Sequence, residues 1–184
     1  MIDMFNRKMR PDESGINGLS DLCAHVLKTN KVKRALEVGS YKGESTVVFA
    51  NKFNDIEELI AVDPFSLNNN SDNLFTENNI NHVKNCFLEN IKQYSSIKHL
   101  KKTSMEASSM FDDNYFDFIY IDGCHQIESV ILDAKSWLPK VKNGGHISFH
   151  DIDNNQVKSA LSMFFDLTSG FISKDNSITF EVQK

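Results

Sequence analysis

The sequence predicts an α/β fold: a three-layer sandwich with a mainly parallel, seven-stranded sheet between two sets of helices. Three observations predict it. Short apolar runs alternate with stretches of helical period, the pattern of a parallel sheet covered on both faces. Several of these runs end in an acid, with Glu37, Asp63, Asp122 and Asp151 all at or just past a strand end. The last two runs, 171–173 and 178–182, are joined by too few residues for a parallel crossover, so they pair as an antiparallel hairpin.

Residues 1–14 form a polar lead-in, read as a loop over the site or a short helix. A helix at 18–29 follows from Leu19, Leu22, Cys23, Val26 and Leu27, one apolar stripe at helical spacing. A strand at 33–38 comes next, then a helix at 45–52, then a strand at 59–62 that ends at Asp63-Pro64. Proline stops what precedes it and sets the exit direction. Residues 66–81 contain Asn68, Asn69, Asn70, Asn73, Asn78, Asn79 and Asn81. That composition favours turns and reads either as a lid over a substrate or as a surface loop.

A helix at 80–94 places Val83, Phe87, Ile91 and Tyr94 on one face, and a short strand at 97–102 and a short helix at 104–110 follow. The run 116–121 is the most apolar strand. The helix at 126–138 has Ile127, Val130, Ile131, Ala134, Trp137 and Leu138 as its inner stripe, and Pro139 closes it. Gly144-Gly145 reads as a turn into a strand at 146–149, and a helix at 156–166 precedes the terminal hairpin.

A length of 184 residues fits one domain spanning 1–184, with 40% hydrophobic residues to build its core. A net charge of −5 argues against nucleic acid as a partner, because that footprint needs a basic face. Cys23, Cys86 and Cys124 are odd in number and lack metal-ligand spacing, which fits a reduced compartment. No apolar leader opens the chain and no run is long enough for a membrane span, so the expected location is the cytoplasm and no membrane partner is expected.

The richest stretch is Glu37-Val38-Gly39-Ser40-Tyr41-Lys42-Gly43-Glu44-Ser45-Thr46. A strand that ends in an acid, turns on two glycines and feeds a helix is a cofactor loop. Its G-x-x-x-G spacing differs from the G-x-G-x-x-G of dinucleotide binders, which argues against a nicotinamide oxidoreductase. A second block reads Asp117-Phe118-Ile119-Tyr120-Ile121-Asp122-Gly123-Cys124-His125, followed by Glu128, Asp133, Trp137 and His150-Asp151. Together the two blocks resemble class I S-adenosylmethionine (SAM) dependent methyltransferases, in the branch of metal-dependent sugar O-methyltransferases. The resemblance covers about residues 33–184.

That resemblance implies a Rossmann-like fold with strand order 3-2-1-4-5-7-6. It implies cofactor contacts from Glu37, Gly39, Ser40, Tyr41, Gly43, Ser45, Asp63, Ser104, Met105 and Asp122. Asp63 would hold the ribose hydroxyls, and Ser104 and Met105 the adenine. The competing role for Ser104 is a helix cap, with Thr103 and Glu106 as a capping box. The resemblance further implies a divalent metal, magnesium or manganese, at Asp122, Asp151 and His150, with His125 as the general base. His150 departs from the family pattern, where glutamate stands, and an imidazole shifts preference from magnesium towards manganese, iron or zinc.

The function expected is methyl transfer from SAM to a hydroxyl of a small-molecule acceptor, a sugar or glycan precursor. Acceptor recognition falls to residues 1–16, 66–81 and 152–156, which leaves room for a homo-oligomer whose second copy completes the pocket. The alternatives are metal-independent N-methylation, with His125 positioning the acceptor, and a SAM-binding module without catalysis.

Overall fold

The computed structural model describes residues 13–66, 76 and 79–184. The lead-in at 1–12 and most of the asparagine-rich tract, both expected to contact the acceptor, lie outside these residues. Strands β1 (Arg34–Val38), β2 (Glu58–Val62), β3 (Ile97–Leu100), β4 (Phe116–Ile121), β5 (Val141–Phe149), β6 (Phe171–Ile172) and β7 (Ile178–Glu181) form one sheet in the order β3-β2-β1-β4-β5-β7-β6. The first five are parallel, and β7 runs antiparallel to both β5 and β6. Strand order reverses between β1 and β4, so their carboxyl ends flank the crevice where such sheets bind ligands.

Helices α1 (Glu13–Val26), α2 (Glu44–Lys52) and α3 (Ile80–Ile91) cover one face; α4 (Ser104–Ser108), α5 (Ile127–Trp137) and α6 (Asn155–Leu161) cover the other. In β4, Phe118 and Tyr120 join the core under α1–α3, while Ile119 and Ile121 join the core under α4–α6. All six β4 residues are buried, which is why the strand reads as a continuous apolar run. Phe49, Phe53 and Phe87 fill the first core and Phe116 and Trp137 the second, each fully buried. Each such side chain contributes about 1.5–3 kcal/mol.

Several boundaries differ from expectation: the first helix runs Glu13–Val26 rather than 18–29, the helix expected at 80–94 ends at Ile91 and the strand expected at 97–102 ends at Leu100, and two further differences bear on the architecture. Residues 144–145, expected to turn, lie inside β5, which starts at Val141. Gly144 takes φ +75, and a Cβ on Gly145 would stand 2.9 Å from the Asp117 carbonyl oxygen, so β5 crosses close behind β4 at a register shift. The helix expected at 156–166 ends at Leu161, and Asp166 instead caps a separate short turn, Leu167–Ser169, by accepting the Thr168 N–H.

At the amino edge of the sheet, the buried Asp117 closes its own network. Its Oδ2 accepts the Lys33 and Arg34 N–H groups at 2.9 and 2.8 Å, and its Oδ1 accepts the Lys142 ammonium at 2.6 Å. Among the described residues no helix is long and apolar enough to cross a membrane.

Candidate active site at the carboxyl edge of the sheet

The loop from β1 to α2 is a tight turn built by backbone geometry. Gly39 and Gly43 take φ +85 and +81, and Tyr41 also sits in the left-handed region at φ +45. A Cβ on Gly39 would stand 1.9 Å from the Asp122 carbonyl oxygen. Gly39 is therefore required by the approach of the chain past β4. A Cβ on Gly43 would meet the Phe87 ring at 3.0 Å.

Glu37 lies wholly buried beneath this loop and accepts hydrogen bonds from the Ser45 and Thr46 hydroxyls. Burial pushes its pKa up to about 7, although those hydroxyls favour the charged form. Ser45, expected at the cofactor, thus gives its hydroxyl to Glu37. The buried Ser40 hydroxyl also faces Glu37 and favours its charged form.

Asp63, just past β2, is 4% exposed. Its Oδ2 accepts the Tyr41 N–H at 2.9 Å and its Oδ1 the Phe65 N–H at 2.8 Å. It pins the glycine loop to the end of β2, and burial raises its pKa. Each oxygen keeps lone-pair capacity beyond its backbone partner.

After β3, Thr103 caps α4 in a complete capping box with Glu106. Ser104 is engaged from two sides: Trp137 Nε1–H donates to its oxygen at 2.8 Å, and its own O–H donates to Asp133. Met105 is 45% exposed and accepts the Ser136 hydroxyl at its sulfur. Asp133 stands in the sequence block after β4, but its link to Ser104 is a long-range contact. The only sequence signal was an acid on the buried face of a helix, between Val130 and Ala134.

Past β4 and β5, two acids and two imidazoles converge. His125 Nε2 lies 3.1 Å from Asp151 Oδ2 and 3.5 Å from Asp122 Oδ1. His150 Nδ1 lies 3.2 Å from Asp122 Oδ1 and 3.3 Å from Asp151 Oδ1. Asp151 takes φ +56, and its loop is tied to the terminal hairpin by the Ile152 N–H, which donates to Asn176 O at 3.1 Å. Burial acts to raise the Asp122 pKa, but the two imidazoles outweigh it and hold the carboxyl below its ordinary value. Burial acts to lower His150, yet Asp122 and then Asp151 push it up to about 9.

Ligand atoms of Asp122, His125 and Asp151 all lie within 4.8 Å of one another, a donor set that fits a divalent cation. His150, expected among the metal ligands, stands outside that group of three and flanks both acids.

A family model described as a methyltransferase domain matches residues 36–152. The chain is 31% identical over 121 residues to the uncharacterized protein R132 of Acanthamoeba polyphaga mimivirus, an alignment covering 63% of this chain and 50% of that protein. The aligned part of the chain thus spans half the length of that relative. Among solved structures, the O-methyltransferase NovP shares the fold with a TM-score of 0.68 and 14% identity, over 92% of this chain and 79% of NovP. Cofactor-bound Rv0187 from MTB does so with a TM-score of 0.65 and 12% identity, over 99% of this chain and 86% of that one. The family match opens inside β1 and closes just past Asp151, so it takes in the glycine loop, Asp63 and the whole histidine–aspartate cluster; this chain belongs to the methyltransferase-domain family.

Proposed function

We propose that this chain transfers a methyl group from SAM to a hydroxyl of a small acceptor of the sugar or glycan-precursor class. The observation that carries the reading is the Asp122–His125–His150–Asp151 cluster, set at the sheet's carboxyl edge beside the glycine loop. The fold and family account for the cofactor, and the cluster accounts for the acceptor chemistry.

In this reading the glycine loop holds the methionine part of SAM, with Ser40 and the Glu37 carboxylate beneath it as polar groups. Asp63 turns its remaining lone pairs to the ribose. The sulfonium methyl is already activated when SAM is bound, so the protein must align the acceptor oxygen and remove its proton. His125 is the base. Asp151 and Asp122, at 3.1 and 3.5 Å from its Nε2, hold the ring and stabilise the imidazolium that proton transfer creates. The ring's other nitrogen is then the accepting atom.

Asp122, Asp151 and His125 would equally hold a divalent cation, which when bound would lower the pKa of an acceptor hydroxyl. The imidazole nitrogen in that donor set favours manganese, zinc or iron over magnesium. Because the cation and the base role make different demands on His125, chelation separates them. The test is transfer of labelled methyl from SAM to a panel of sugar hydroxyls, with and without exhaustive chelation. Transfer that survives chelation and is lost in His125→Ala assigns the base role. Binding of SAM without transfer to any hydroxyl would leave a SAM-binding module.

A further inference from the structure

The proposed chemistry makes no use of Asp175, yet the turn that carries it is tied to the acceptor cluster. Residues 173–177 join β6 to β7. The Ser173 N–H donates to Ser177 O at 2.9 Å and the Asn176 N–H to Ser173 O at 3.0 Å, with Asn176 at φ +68. The Asp175 carboxylate gathers the hydroxyls on either side of it. Its Oδ1 accepts the Ser173 hydroxyl at 2.5 Å and its Oδ2 the Ser177 hydroxyl at 2.6 Å. The hydroxyl of Tyr120, a buried residue of β4, lies 3.2 Å from Ser177 Oγ and 3.4 Å from Asp175 Oδ2. On the outer side α1 presses directly on the turn, since a Cβ on Gly18 would stand 2.3 Å from Asp175 N.

Two hydrogen bonds run from this turn to the loop after β5. The Ile152 N–H donates to Asn176 O at 3.1 Å, and the Asn176 side-chain amide donates to Asp153 Oδ1. Just before Ile152 stands Asp151, at φ +56. A side chain in the left-handed region stays there because its surroundings hold it. On the other side of Asp151, the His150 N–H donates to Ile121 O at 3.0 Å. Asp151 is thus clamped between the end of β4 and the hairpin turn.

Both jaws of that clamp lead back to β4. Tyr120 and Ile121 are consecutive there: Ile121 holds the start of the loop, and the Tyr120 hydroxyl meets the turn at Ser177 and Asp175. His125 also follows β4, and Asp151 Oδ2 reaches its Nε2 at 3.1 Å. The direction of that carboxylate therefore depends on where the turn sits relative to β4.

We propose that Asp175 is a positioning residue for the acceptor cluster: it locks the terminal turn to β4, and the turn holds Asp151 against His125. The inference rests on reading that cluster as the place of methyl transfer.

Amide hydrogen exchange on the full chain, read residue by residue, tests the lock without an acceptor. Asp175→Ala is expected to speed exchange of the Ile152 amide by about 10- to 100-fold, because its acceptor in the turn comes loose, and to leave the Ile147 and Phe149 amides of β5 as in the parent. S-adenosylhomocysteine should bind this variant as it binds the parent. Transfer of labelled methyl from SAM to the panel of sugar hydroxyls should fall by about 10- to 100-fold, the cost of a misplaced group at the reacting centre. Asp175→Asn, whose amide can still meet both serine hydroxyls, should restore slow exchange and transfer together. Unchanged exchange at Ile152 in Asp175→Ala overturns the proposal and leaves the reading of the cluster standing. Transfer at the parent's rate with Ile152 loosened overturns it too, as does exchange that quickens equally along β5, the mark of a merely structural residue. A parent that binds S-adenosylhomocysteine but methylates no acceptor removes the reading of the cluster, and the role of Asp175 with it.

Discussion

Two aspartates at opposite ends of β4 show how this fold separates holding from acting. Asp117, at the amino end, is saturated by two backbone N–H groups and one ammonium, all fixed by neighbouring strands. Asp122, just past the carboxyl end, faces two imidazoles at 3.2 and 3.5 Å and stays partly exposed. The first acid has donors that never leave. The second has partners that can themselves exchange a proton or make way for a cation. Same strand, same residue type, and the difference lies in what each end of a parallel sheet offers: the amino edge is closed by turns, the carboxyl edge opens at the crevice.

The sharpest way to break that comparison is to remove each kind of partner. Asp117→Ala leaves Lys142 and two N–H groups without an acceptor and is expected to cost about 3–5 kcal/mol in urea unfolding. The folded fraction should bind S-adenosylhomocysteine as the parent does. His125→Ala is expected to do the reverse. Turnover should fall by about 10²–10⁴ with cofactor affinity nearly kept, and the melting temperature should move little. If Asp117→Ala costs no more stability than His125→Ala, the division of labour between the two edges is wrong.

Gly39→Ala probes the point where the edges meet. An added Cβ at 1.9 Å from the Asp122 carbonyl oxygen, at φ +85, should cost about 3 kcal/mol from backbone strain and overpacking. It should weaken cofactor binding through the displaced loop. Wild-type stability in this variant would mean that the β1 and β4 ends are farther apart than described.

Asp133 sharpens the comparison by its pH dependence. Its folded pKa is raised from 3.8 to about 6, so its favourable contribution is present below 3.8 and lost as pH rises through 6. The loss amounts to about 3 kcal/mol. Asp133→Asn should therefore be more stable than the parent at pH 8, with the gap closing towards pH 4, as followed by denaturant titrations at each pH. A constant gap would show that burial does not raise the Asp133 pKa in the folded protein.

Much of the fold was legible because burial writes itself as pattern. The strand 116–121 was predicted to the residue, since a strand covered on both faces has to be apolar throughout. The start of β5 was not legible: Lys142-Asn143-Gly144-Gly145 has the composition of a turn, and only the positive φ of Gly144 and the close passage of Gly145 behind Asp117 explain why glycines sit in a strand. The acids at the strand ends were legible one by one. Their partners were not, because Ser104 meets Asp133 across 29 residues and the end of β1 meets Asp122 across a strand crossover. The resemblance names His150 as a donor, and the structure sets both His125 and His150 beside the two acids.

The central claim is that the carboxyl edge binds SAM, and titration of the full chain with S-adenosylhomocysteine tests it most directly. The account predicts saturable binding of one ligand per chain, with a melting temperature that climbs as ligand is added. No heat of binding and no shift in melting temperature at millimolar ligand would contradict it.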